Sequence, residues 1–135
     1  MRNAAHAVIV AASLVALTGT ALAADMTGAE LKAFISDRTL YLETTAASNS
    51  GHAGQGVIYW AKDGTALEKT PSGAIWHGTW RIEADKLCPS WKEKPGTGCV
   101  HYDKSGDTVS VVAADGKIRA KVVKTAEGNA EHLAP

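Results

Sequence analysis

The sequence predicts a mainly β fold: a small antiparallel β-barrel, or a strongly curved meander sheet, of about seven or eight strands with one short N-terminal α-helix and one disulfide. Three observations predict it. Short runs with a period of two recur along most of the chain and are separated by Gly-, Asp- and Pro-containing turns. Only one stretch near the start has helical spacing. Two cysteines, Cys88 and Cys99, flank a Gly-Pro loop between two such runs. A chain this short manages its sheet edges best by curling the sheet on itself.

The first residues read as an export signal rather than as part of the fold. Arg2 supplies a positive start, and Ala7 to Leu17 is apolar apart from Ser13. Ala21-Leu22-Ala23 is a small-x-small cleavage site, so residues 1–23 are expected to be removed. The apolar run is far shorter than the ~20 residues of a membrane-spanning helix. A periplasmic or secreted location is therefore expected, with residues 24–135 forming a single β-rich domain. Removing residues 1–23 from the 135 leaves 112, and losing Arg2 from 14 basic against 14 acidic residues leaves a formal charge of −1. That balance lacks the basic footprint of a nucleic-acid binder, and neither a polybasic run nor a lipidation motif suggests a membrane anchor.

The helix comes first. Thr27 and Glu30 have the spacing of a capping box, and Met26 and Leu31 that of a hydrophobic staple. Leu31, Phe34 and Ile35 share one face, which predicts a helix from about residue 28 to residue 36, ended at Ser36-Asp37. Thr39 to Thr45 then alternates as a strand, and Ala46 to Gly56 is small, polar and glycine-rich, a mobile loop. Val57 to Ala61 and Thr65 to Lys69 are strands joined by the Asp63-Gly64 turn. Gly73 to Glu83 puts Trp76, Gly78, Trp80 and Ile82 in one phase and His77, Thr79 and Arg81 in the other.

Leu87 to Trp91 and Cys99 to Asp103 form a hairpin that Cys88 and Cys99 close. Two cysteines in an oxidising compartment pair, and their spacing is neither that of a C-x-x-C redox pair nor that of a zinc site. Val109 and Val111 mark the next strand, Asp115-Gly116 turns the chain, and Ile118 to Val123 is the last strong strand. Ala126 to Pro135 reads as a frayed tail.

In order, Met26 to Leu31, Trp60-x-x-Asp63-Gly64-Thr65, Gly78-x-Trp80-Arg81-x-x-x-Asp85-x-Leu87-Cys88, and Cys99 followed by Tyr102 resemble a small exported bacterial family known as DUF 995. The resemblance spans nearly all of the chain after residue 23. It departs in the Ser48–Gly56 loop and the Pro89 to Pro95 insertion. It implies a fold and an exported location and lends no mechanism.

The residues that carry chemistry are few. Trp76 and Trp80, with Gly78 between them, suit a ligand platform with room for a flat ring, although aromatic residues more often fill a core. Trp60 and Trp91 lie at strand ends, where exposure is expected. His77, His101 and Asp103 have a donor set that suits a metal, but surface solvation explains the histidines better and no metal is assigned. His52 and His132 look incidental. The candidate ligand-binding residues are Trp76, His77, Trp80 and His101; no catalytic residue and no cofactor are assigned.

A nucleophile elbow and a phosphate loop are both missing from the sequence. The leading expectation is a non-enzymatic binding or inhibitor-like module that presents Ser48–Gly56 or Lys92–Gly98 to another protein. A small-ligand or metal carrier comes second, and a hydrolase of unfamiliar type third.

Overall fold

A computed structural model describes residues 23–135. The proposed signal segment lies outside the described residues, except for Ala23. The chain order is β1 (Ala24–Asp25), α1 (Gly28–Ile35), β2 (Arg38–Thr44), β3 (Gly54–Trp60), β4 (Thr65–Lys69), β5 (Ile75–Glu83), β6 (Lys86–Trp91), β7 (Val100–Ser105), β8 (Thr108–Ala113) and β9 (Ile118–Glu127). From β2 to β9 each strand pairs antiparallel with the next, and β9 pairs back to β2. The sheet is therefore a closed eight-stranded barrel, and β1 is an extra strand laid on β7.

The helix forms as its sequence dictates. Thr27 Oγ1 accepts from the Glu30 N–H, and the Glu30 carboxylate accepts from the Thr27 N–H. These two bonds satisfy amides that the first turn cannot pair within itself. The Gly28 N–H donates to Asp85 Oδ1 at 2.6 Å, which ties the helix start to the β5–β6 turn. That turn holds two non-glycine residues, Ala84 and Asp85, at positive φ. Leu31 and Ile35 are fully buried, and Phe34 meets Tyr102 edge-on. Asp37 at φ 57° ends the helix, and its backbone bonds to Trp60 and Gly128. α1 packs on β2, β5 and β6 and closes one end of the barrel.

The barrel wall is not uniform. β9 bridges β2 along the whole length of β2, with a bulge between Tyr41 and Leu42. β6 and β7 meet at one pair, Leu87 with Val100. The disulfide Cys88–Cys99 lies immediately beside that pair and staples the seam. The expected hairpin is thus joined more by the covalent bond than by its ladder. β1 occupies the stretch of β7, at Asp103 and Lys104, that lies beyond the β6 pairing.

The tail is not frayed. β9 runs to Glu127, and Thr39 Oγ1 donates to the Gly128 carbonyl and accepts from the Ala130 N–H. Asn129 brackets Leu133 with two hydrogen bonds, and Leu133 is buried. The anchoring side chain, Thr39, lies about 90 residues away, so local composition gives no sign of it. Likewise β3 begins at Gly54, inside the glycine-rich stretch, because Gly54 to Gly56 pair with Leu42 to Thr44.

Candidate functional site

Barrel closure sends every second side chain inward. On β2 these are Leu40, Leu42 and Thr44; on β3, Ile58 and Trp60; on β7, Val100 and Tyr102. On β4 the inward residues are Ala66 and Glu68, which lie opposite Trp60 and Ile58 of β3. The wall places a carboxyl group inside an apolar lumen.

The four tryptophans form one connected cluster. Trp80 meets Trp60 edge-on, Trp60 meets Trp91, and Trp91 meets Trp76, all with ring centroids about 6 Å apart. Trp60 and Trp91 are 2% and 3% exposed, and Trp76 and Trp80 are partly buried. The expectation of exposure at Trp60 and Trp91 is therefore reversed. Trp60 lies opposite the small Ala66, and Trp91 opposite Gly78, so each ring finds room over a neighbour without bulk. A Cβ on Gly78 would collide with the Ser90 carbonyl and lie 2.8 Å from Trp91 Cε3. The flat ring for which Gly78 leaves space belongs to the protein's own Trp91.

A cavity of about 50 Å³ remains beside this cluster, room for about three waters. Trp60, Glu68, Trp91 and Tyr102 line it, with Ser48, Asn49 and Arg119 at the end where β2 and β6 finish. Glu68 is 7% exposed, and burial alone pushes its carboxyl up to about 7. Burial also raises the Tyr102 hydroxyl, and the Glu68 charge adds to this, while the Trp60 N–H directed at that hydroxyl works the other way. That contact falls short of hydrogen-bond geometry, so the buried Trp60 indole N–H lacks a full partner, whereas that of Trp80 donates to the Ala61 carbonyl at 2.9 Å. An unpaired buried donor costs about 1–3 kcal/mol.

Arg119 governs the loop end. Its guanidinium donates to Asn49 Oδ1 at 2.6 Å and to the Thr97 carbonyl at 3.1 and 3.2 Å. The two segments singled out in the sequence, Ser48–Gly56 and Lys92–Gly98, are thereby joined to each other at one end of the barrel.

Of the sequence-predicted site residues, Trp76 and Trp80 join the tryptophan cluster, and the two histidines are not among the residues that line the cavity. His77 Nδ1 sits 2.8 Å from Glu93, whose carboxylate also accepts the His77 N–H and is held below the usual range by these bonds. His101 Nε2 lies 3.5 Å from Asp25 Oδ1 and links β7 to β1. Among the described residues, no group of three or more His, Cys, Asp or Glu could hold a metal ion.

Sequence reasoning missed Glu68 and Arg119. The sequence places Thr65 to Lys69 in a strand without assigning its faces, and Ala66, Leu67 and Glu68 are all buried, so burial alone does not separate the lumen side. The signal that finds Glu68 is the register fixed by the Asp63-Gly64 turn, which puts Ala66 opposite Trp60 and Glu68 opposite Ile58. Comparison with family models, curated proteins and solved structures found no match.

Proposed function

We propose that this protein is a non-enzymatic binding protein that holds a small ligand in the barrel lumen. The observation that carries this reading is a set of polar groups in an apolar cavity: Glu68, enclosed and with no ion pair among the described residues, beside a buried Trp60 N–H that lacks a full partner. Small barrels with one closed end and a mouth commonly hold ligands in this way. The setting is periplasmic or extracellular after loss of residues 1–23, in keeping with the disulfide. The resemblance to DUF 995 supports the same exported setting.

A second reading is an interaction module that presents the Ser48–Gly56 and Lys92–Gly98 loops to another protein. It is favoured by one observation: Arg119 gathers both loops into a single surface. Native mass spectrometry of the protein recovered from the cells that make it separates the two. A non-covalent small-molecule adduct that disappears on desolvation supports the lumen site. A clean mass accompanied by a stoichiometric protein partner counts against it and favours the loops.

A further inference from the structure

We infer that the lumen takes a small monocarboxylate with a short apolar tail, its carboxylate head set against Trp60, Tyr102 and Glu68. This rests on the lumen reading above and adds the chemical class of the ligand. The floor of the cavity is a set of donors. The Trp60 Nε1–H is directed at the Tyr102 hydroxyl but has no acceptor in full hydrogen-bond geometry. The Tyr102 hydroxyl keeps its proton, since burial and the nearby carboxyl both raise it. Glu68 in its acid form is a third donor, because an acid and a carboxylate share one proton well at close range.

Charge agrees with this assignment. Arg119, at the loop end of the same cavity, gives its hydrogen bonds to the neutral oxygens of Asn49 and Thr97. Its positive charge has no carboxylate partner among the described residues, which favours an anion within the cavity that it lines. The Arg119 charge disfavours an ammonium group. The hydroxyls of Thr44 and Ser48 are already turned to the His52 carbonyl. Leu42, Val111 and Ala120 offer apolar walls to a short tail, and the volume suits a small head group better than a ring.

The lining residues of β2, β3, β6 and β8 carry no charge, and those of β4, β7 and β9 that titrate or carry charge are Glu68, Tyr102 and Arg119. On β5, Trp76 lies opposite Glu68. Proton linkage therefore runs through Glu68: binding a carboxylate beside it takes up a proton.

The test is a fluorescence titration with propionate, butyrate, propionamide and propylammonium, read through Trp60 and Trp91 at pH 6 and pH 8. Saturable binding of propionate or butyrate, about tenfold tighter at pH 6 than at pH 8, is the expected result for a group that titrates near 7. Glu68→Gln, which fixes the neutral form, is expected to bind equally at both pH values. Binding of propylammonium in place of propionate overturns the ligand class and leaves the lumen reading standing. A cavity that holds water only, with no saturable change for any probe, overturns the inference; an adduct-free native mass would then remove the lumen reading as well.

Discussion

The two ends of the barrel are built from opposite materials. At the helix end, Leu31 and Ile35 are wholly buried, and the first turn is tied off by Thr27, Glu30 and Asp85. At the loop end, polar side chains meet: Asn49 and the Thr97 carbonyl converge on Arg119, and Thr97 Oγ1 is buried without a partner. One end holds the fold by apolar contact with every cap satisfied. The other is assembled from charged and polar contacts that water can replace. Glu68 and Arg119 both line the cavity between these ends, Arg119 on the side of the loops that it joins.

The contrast predicts unequal responses to mutation. Leu31→Ala should cost about 3 kcal/mol of stability in urea denaturation, since the helix end has no means of refilling the space. An effect below about 1 kcal/mol would mean that the helix is a cover rather than a plug.

Glu68 should impose a pH dependence next in size. Its carboxyl is raised in the folded state, so the folded state holds its proton to higher pH than the unfolded chain does. Below the unfolded value near 4.5 both forms are protonated and nothing is lost. As pH rises through 5 to 7 the unfolded chain gains from ionisation first. Stability should therefore fall by up to about 3 kcal/mol and level off above 7. Glu68→Gln should remove this slope, and denaturation midpoints at pH 5, 6, 7 and 8 measure both variants.

Thr27→Ala should cost about 1 kcal/mol, measured by the same denaturation at a single pH, because it removes one half of the capping box. Arg119→Ala should cost less, within about 1 kcal/mol, since its partners can turn to water. Hydrogen exchange should then quicken together in residues 46–53 and 92–98, with α1 unchanged. Acceleration in only one of the two loops would show that Arg119 does not couple them.

How far the sequence reached follows the same division. The helix was legible because Thr27, Glu30, Leu31 and Ile35 are neighbours whose spacing has one physical solution. Most strands were legible from alternation, and Cys88–Cys99 from compartment and spacing. What escaped depends on distant partners. Trp60 is buried by Trp80 and Trp91, and the tail is held by Thr39; neither partner is local. Glu68 escaped for a subtler reason. Ala66, Leu67 and Glu68 are all buried, so the strand's own pattern does not say which face meets the lumen. Only the register with β3, which sets Glu68 opposite Ile58, reveals it.

The single ladder pair between β6 and β7 makes the topology conditional. If Cys88 and Cys99 stay reduced, Leu87 and Val100 alone hold the wall shut, and parting there turns a barrel without edges into an open sheet with two. Such a sheet offers unpaired strands to any neighbouring chain. The bond therefore makes oxidation a condition of solubility as well as of stability, and a chain kept in a reducing compartment should be recovered as aggregate rather than as inactive monomer.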